Sequence, residues 1–381
     1  MERAPSAGFA GNLRANPRNA RFRFSAVLRS IKVRHFRCFD AFETDFRPGL
    51  NLIVGPNAQG KTSLLEAVCI LLRLASPRIS RLAHIIQHGR RGFVVDGFFQ
   101  ERHLQFYFSR ERKKLALDAV EQKSAAEYLQ IARLVYFSNS DIDIVRGAGE
   151  VRRRFLDFVA VQRDAGYRAA LRNYERALRS RNLLLKTPQP RWREIAAFDE
   201  QLLAHGNLLT TARARLLADL QPPAEAAHRA ISGARETLRI EYQAGAGTDF
   251  AALLAHSRSE DARLRQTSVG PHRDELRFIL NDQASNFASE GQQRTLVLAL
   301  KLGAAHLLAK HFATAPLLLL DDVFGELDPA RRHALFAALP AESQKLITTT
   351  TLDWLPPGVP THVIRLDSSA IADAPHVPSP P

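Results

Sequence analysis

From Val27 to Phe46 apolar and polar positions alternate, with Leu28, Ile31, Val33 and Phe36 set among charged residues. This period of two predicts two short strands around a turn near Asp40. Pro48-Gly49 breaks the chain, and the apolar run Leu50 to Val54 then reads as a buried parallel strand. A glycine-rich turn follows, then a helix in which Leu64, Leu65, Val68, Leu71 and Leu72 recur at helical spacing. Val94 to Phe99 and Leu104 to Phe108 are further β-type segments, leading to the charged turn Arg110 to Lys114. Around Val151 the period changes. Val151, Phe155, Phe158, Val159, Leu171, Tyr174 and Leu178 fall on one face of a long helix, and Phe198, Leu202, Leu209, Ala212 and Leu216 on a face of another. Heptads are not sustained, so no long coiled coil is expected. Pro222-Pro223 and Gly245-Ala246-Gly247 mark the end of this insertion, and α/β character resumes near Thr267. The pattern predicts an α/β fold with an inserted α-helical lobe. Its expected parts are a flexible basic arm (1–26), a first α/β part (27–145), the helical lobe (146–266), a second α/β part (267–367) and a disordered Pro- and Ser-rich tail (368–381).

At 381 residues the chain can bury a real core in one large or two ordinary domains, which excludes a disulfide mini-protein. Its 53 Lys and Arg against 39 acidic residues leave a net charge of +14, which favours polyanionic partners, nucleic acid first. The excess is concentrated: residues 146–193 hold thirteen Arg or Lys against four acids, nine of the fourteen net charges. Arg152, Arg153, Arg154, Arg172 and Arg179 are the expected DNA-binding residues on that lobe. Cys38 and Cys69 have no partner at metal-ligand spacing, so neither a disulfide framework nor a zinc site is expected, and a reducing cytoplasm is the natural compartment. The apolar run around Leu317 to Leu320 falls far short of the ~18 residues that cross a bilayer, so no membrane span is expected. The Arg-rich first residues lack the apolar stretch of a secretory signal.

Three segments change the picture from polyanion binding to chemistry. Gly55, Pro56, Asn57, Ala58, Gln59, Gly60, Lys61 and Thr62 match G-x4-G-K-[ST] between a predicted strand and a predicted helix, the setting of a phosphate-binding loop. Glycines at 55 and 60 let the backbone wrap closely, and the amides through Ser63 and the helix N-terminus present positive dipoles. Lys61 reaches the β/γ-phosphates and the Thr62 hydroxyl ligates Mg²⁺. Leu317 to Leu320 followed by Asp321-Asp322 is an apolar strand ending in two carboxylates, with Asp321 the expected metal residue and Asp322 the expected general base or water-orienting residue. A nucleoside triphosphate with Mg²⁺ is thus the expected cofactor, and Lys61 and Asp322 are the expected catalytic residues. Ser289, Glu290, Gly291 and Gln292 precede a helical run through Leu296, Leu300 and Leu307. Ser289 with Gln292 three residues on is an N-cap signal, and Ser plus Gly at a helix start is also a donor-rich nest for an anion. From the residues alone both readings stand.

Together the segments resemble the ATP-binding-cassette (ABC) superfamily: a Walker A loop, a Ser-x-Gly-Gln signature, a Walker B strand and a D-loop at Gly325 to Asp328. Within it the chain resembles the RecF family of bacterial recombination mediators. Phe36-Arg37, Leu64 to Ala67, Ser76 to Leu82, Arg152 to Asp157, Tyr174 to Asn182, Gly270 to Asp274 and Ser289 to Leu302 carry the likeness, which spans about residues 27–352. The resemblance implies an ABC-type P-loop ATPase head that forms an ATP-dependent homodimer. Ser289, Gly291 and Gln292 of one subunit would complete the other's site, and Asp328 would lie across the interface. It further implies binding of double-stranded and gapped DNA, slow DNA-stimulated hydrolysis that times release, and work with RecO and RecR in loading RecA during gap repair and replication restart. The alternative is an ABC-type ATPase of a defence or chromosome-organising system, against which stand the short insertion and the lack of a nuclease motif. Two departures from the family pattern are present, and at a third place the chain differs from ABC transporters in the way the family does. Asn139-Ser140 replaces the family's Pro-Glu at a segment expected to couple the ATP site to the helical lobe. Gly325 replaces Ser in the D-loop. Thr348 to Thr351 occupy the place of a transporter's switch histidine, where a hydroxyl can hold a water or the γ-phosphate.

Overall fold

Strand β3 (Leu50–Val54) is buried at every position because both of its faces are covered, as its unbroken apolar run predicts. The computed structural model describes residues 26–366 other than Ser80 and Arg235, so the expected arm, save Ala26, and the tail lie outside the described residues. β3 belongs to a five-stranded parallel sheet ordered β14 (Thr361–Arg365), β3, β13 (Lys345–Thr349), β12 (Leu317–Asp321), β8 (Leu134–Ser138). Alternate side chains serve two cores. Ile53, Leu317, Leu319, Leu346 and Ile364 enter one, and Leu52, Val54, Leu318, Leu320 and Ile347 the other.

The first core is closed by α1 (Lys61–Arg73) and a six-stranded antiparallel sheet. Its order is β2 (Phe39–Asp45), β1 (Leu28–Phe36), β4 (Gly92–Phe99), β5 (Arg102–Ser109), β6 (Lys113–Leu117), β7 (Val120–Glu121). Tyr128, in the short α2 (Ala125–Tyr128), donates to Leu71 O at 2.8 Å and fastens the sequel of the sheet to α1. The second core is helical. After α3 (Asp143–Arg146), the helices α4 (Gly149–Arg163), α5 (Ala165–Leu185), α6 (Trp192–Ser232) and α9 (Glu290–Phe312) share one apolar cluster with the parallel sheet. Among the described residues α9 alone is long and apolar enough to cross a membrane, and here its apolar length is buried against α6 and the sheet.

Three expectations are corrected. The helix expected through Val151 to Leu178 is two helices, because Asp164 is extended and its carboxylate accepts from Gly166 N at 2.7 Å, capping α5 instead of continuing α4. Pro222-Pro223 do not end the insertion but lie inside the 41-residue α6. The pair removes two N–H donors, and tertiary contacts outweigh the loss. Gln221 bonds Leu238 O at 2.8 Å and Ile240 N at 2.7 Å, and Ala224 lies so close to α9 that a Cβ on Gly303 would sit 2.8 Å from its Cα. The lobe is also not wholly helical. β9 (Leu238–Gln243) pairs with β10 (Glu275–Leu280), which pairs with β11 (Gln283–Ala284), so the boundary expected after residue 266 divides one small sheet.

The chain returns from β9 through α7 (Phe250–His256) and α8 (Arg258–Leu264) into a buried polar frame. Arg213 of α6 bonds Asp157 Oδ1 at 2.8 Å, Asp274 Oδ2 at 2.7 Å and Pro271 O at 2.7 Å. Fully buried Arg181 bonds Asp199 at 2.6 Å, Asp261 at 2.7 Å and Thr267 Oγ1 at 2.9 Å. The stretches Arg152 to Asp157, Tyr174 to Asn182 and Gly270 to Asp274 therefore fasten β10 to the helices. His272 sits within this frame, its Nδ1 2.7 Å from Tyr174 OH and its Nε2 3.0 Å from Thr267 O. Burial lowers its pKa from 6.5 to about 4, so the unfolded chain takes up a proton that the folded one refuses. Its contribution is full above pH 6.5 and is lost as pH falls toward 4, about 3 kcal/mol in all. Urea midpoints at neutral and acid pH should therefore converge more closely in His272→Gln than in the parent; equal acid sensitivity would remove His272 as a cause.

Candidate nucleotide site and signature

The carboxyl ends of the parallel strands carry the expected chemistry, as the crevice rule for such sheets requires. Gly60 precedes α1 with φ 86°, and a Cβ there would lie 2.6 Å from the Phe39 ring, so only glycine fits. Gly55 has a packing reason besides the expected one of phosphate approach, since a Cβ would meet Leu366 O at 2.5 Å. Lys61 Nζ donates to Gly55 O at 2.7 Å and Pro56 O at 2.8 Å. Burial lowers its pKa, with Asp322 and Asp321 opposing. Asn57, Ala58, Gly60, Lys61, Thr62 and Ser63 line a cavity of about 350 Å³ together with Arg37, Cys38, Asp321 and Asp322. Gly55, Pro56 and Gln59 of the loop do not line the cavity, and Gln59 Oε1 is buried without a hydrogen-bond partner.

Thr62 and Asp321, 259 residues apart in the chain, meet at 2.9 Å through Thr62 Oγ1 and Asp321 Oδ1. β13 lies between β3 and β12, and its Thr348, in register with Asp321, completes the arrangement. Thr348 Oγ1 donates to Asp321 Oδ1 at 2.9 Å and accepts from Asp322 N at 2.9 Å, while Tyr136 OH donates to Asp321 Oδ2 at 2.9 Å. Three hydroxyls thus aim one carboxylate. Thr348 is engaged inside the strands and Thr349 Oγ1 donates to Thr351 O at 2.7 Å, so of the four threonines only the exposed Thr350 and Thr351 keep the expected part of holding a water or phosphate. Asp322 has φ 53°, an uncommon conformation that turns its carboxylate out of the strand direction into the cavity. Burial raises its pKa, Lys61 opposing and Asp321 adding, which suits a proton acceptor.

The donor set fits a magnesium nucleotide. Thr62 and Asp321 supply hard oxygens, and no group of three or more His, Cys, Asp or Glu that could cage a metal occurs among the described residues, so phosphate oxygens would complete the shell.

Ser289, Gly291 and Gln292 do not line this cavity. Ser289 is the exposed N-cap of α9 in a full capping box, its N–H donating to Gln292 Oε1 at 2.8 Å and its Oγ accepting from Gln292 N at 3.4 Å. Gln292 Nε2 in turn donates to Glu236 Oε1 at 2.8 Å, and fully buried His228 lies 3.4 Å from Glu236 Oε2. A Cβ on Gly291 would lie 2.8 Å from Arg331, whose guanidinium bonds Asp328, the N-cap of α10 (Pro329–Ala338), at 2.7 Å. Signature and D-loop are therefore neighbours on one surface. The Asn139 departure keeps a physical link: Asn139 Nδ2 donates to Asp322 O at 3.3 Å, and Asp141 accepts from Lys301 of the signature helix at 2.8 Å.

The expected DNA residues separate into two groups. Arg152 bonds Glu275 through Nη2 at 2.9 Å and Gly147 O at 2.8 Å, and Arg153 bonds Asp274 O at 2.8 Å. Both guanidiniums fasten β10 to α4, which corrects their assignment to an open DNA face. Arg154 is exposed and pairs with Glu150 one turn back. Arg172 and Arg179 are exposed, and with Arg176 they form a stripe on α5. Arg37, Glu66, Tyr136 and Glu236 were not singled out as site residues. Arg37 lies in the cavity wall because it forks onto fully buried Glu66 at 2.8 and 2.9 Å; both belong to the segments that carried the resemblance, but a pairing across 29 residues has no signature in spacing.

Comparison with known proteins agrees with this geometry. The family model "RecF/RecN/SMC N terminal domain" matches residues 27–356. The DNA replication and repair protein RecF of Lactococcus lactis subsp. cremoris is 35% identical over 335 residues, covering 86% of this chain and 93% of that protein. The RecF protein of Symbiobacterium thermophilum is 38% identical over 344 residues, covering 86% and 92%. A solved structure of the recombination mediator protein RecF-ATPrS in the RecFOR pathway superposes with a TM-score of 0.81 at 30% identity, covering 90% of this chain and 98% of that one. With a Walker A cavity closed by a hydroxyl-braced Walker B acid and relatives matched along nearly their whole length, this chain belongs to the RecF family of DNA replication and repair proteins, built on the ABC-type ATPase head.

Proposed function

We propose that the protein is an ATP-driven recombination mediator that dimerises head to head on duplex or gapped DNA. The observation that carries this reading is the exposed signature cap standing apart from the Walker A cavity of its own chain, since a donor nest outside its own site is available to the site of a second copy. Ser289, Gly291 and Gln292 would then close the nucleotide pocket of the partner subunit, and Asp328 would meet it across the interface. Thr62 and Asp321 would hold Mg²⁺, which neutralises charge on the phosphates when bound. Lys61 exchanges its loop carbonyls for phosphate oxygens, and Asp322 orients the attacking water and takes its proton. Hydrolysis in this reading is slow, DNA-stimulated and times release. On α5, Arg172, Arg176 and Arg179 follow one another at i+4 and i+3, continued by Lys186, with Glu175 the nearest carboxylate at 3.9 Å from Arg179. A stripe of that spacing fits a phosphate backbone. In this reading the protein works with RecO and RecR and assists RecA loading, as the family resemblance implies; the RecFOR pathway named for the relative's structure supports it. Sedimentation velocity with and without ATP and a short duplex tests the reading. A shift from monomer to dimer with ATP is expected, enhanced by duplex; a monomer under all conditions sinks the two-subunit site.

A further inference from the structure

The antiparallel sheet carries a charge concentration that neither the nucleotide site nor α5 explains. Residues 86–114 hold seven Arg or Lys against three acids. Two of those acids are engaged elsewhere: Asp96 accepts from Gln105 at 2.6 Å and lies 3.0 Å from His103, and Glu101 pairs with Arg29. The loop following Ile86 and the β5–β6 turn bring His88, Arg91, Arg110 and Arg112 around one open groove of about 1090 Å³. Arg91 and Arg110 have no carboxylate at ion-pair distance among the described residues, and Arg112 lies over the Tyr107 ring at 5.7 Å. Arg90, on the same rim, is the exception, bonded to Asp40 at 2.7 Å. Glu111 is the one carboxylate that lines the groove, so Arg91, Arg110 and Arg112 keep an excess of positive charge there whose mutual repulsion a bound anion would relieve.

We propose that this groove is a second contact for the phosphate backbone of duplex DNA, separate from the α5 stripe. The inference rests on the DNA-binding reading above. The chemistry favours backbone over bases: arginine forks match phosphate oxygens, whereas sequence-tolerant single-strand binding uses open aromatic faces. Tyr107, which lines the groove, is already covered by Arg112. Size favours an extended polyanion over a lone nucleotide, since the groove has about 1090 Å³ against about 350 Å³ at Walker A.

The test is duplex binding by the full chain with ATP, read by anisotropy of a fluorescent duplex over a salt series. Arg91→Gln/Arg110→Gln/Arg112→Gln should bind at least roughly tenfold more weakly at low salt and lose about three units of salt slope, one per phosphate contact. The matching lysine variants, which keep the charge, should recover most of the slope and show that folding is intact. Unchanged affinity and slope in the groove variant, with loss in Arg172→Gln/Arg176→Gln/Arg179→Gln, overturns the groove and leaves the DNA-binding reading in place. Failure of the parent chain to bind duplex overturns both. Competition by poly-glutamate as strong as by unlabelled duplex overturns it in favour of an acidic protein surface.

Discussion

Asp322→Asn is expected to slow single-turnover ATP hydrolysis by about 10²–10⁴-fold, the range for loss of a positioned general base. Nucleotide affinity should stay within a few-fold, because Lys61, Thr62 and Asp321 make their contacts without Asp322. Asparagine is the right probe. It is isosteric, and it tolerates the left-handed conformation that position 322 holds at φ 53°. If hydrolysis times release of an ATP-bound dimer, as proposed, the variant's dimer should outlive the parent's by a similar factor. Rapid-quench hydrolysis and binding of a fluorescent ATP analogue separate the two effects. A variant that hydrolyses at the parental rate assigns the proton to another acceptor, and one that fails to bind nucleotide shows that Asp322 was supporting the pocket.

Arg213→Met carries the largest expected loss of stability. The change removes the cation between Asp157 and Asp274 and leaves two carboxylates facing one another in a nearly dry frame. Breaking a buried pair from one side costs about 3–5 kcal/mol, and for a chain of this size that lowers Tm by roughly 4–6 °C. Asp274 also holds Tyr242 at 2.5 Å and the Gly245 amide at 2.8 Å, so the loss should spread to β9 and β10. Hydrogen exchange would show this as lost protection in both strands before global unfolding. A Tm within about 2 °C of the parent would mean that water reaches the two acids in the variant and that the frame contributes little.

Both predictions draw on contacts that the sequence did not disclose, although it placed most of the residues. β3, α1, β4 and β5 were legible because their apolar periods are local, and so was the capping box at Ser289, whose partners lie three residues apart. Asp164 and Pro222-Pro223 were misleading for opposite reasons. At Asp164 a local side-chain cap outweighs a continuous apolar stripe, whereas at the prolines packing against α9 and β9 outweighs a local breaker. Arg152 and Arg153 read as surface charge because an arginine in isolation carries no sign of its partner, and Glu275 lies 123 residues from Arg152.

By itself the sequence determined the family and placed the phosphate loop, the Walker B acids and the Ser289 cap, since each of those three is a short run whose form depends on neighbouring residues and local backbone. Tertiary structure alone decided which charges remain free. Of the thirteen basic residues between 146 and 193, Arg152, Arg153 and Arg181 are turned inward onto carboxylates and carbonyls, while Arg172, Arg176 and Arg179 face outward. The reason is physical. A guanidinium is stabilised equally by an internal carboxylate or by an external phosphate, and only the fold fixes which of the two lies within reach.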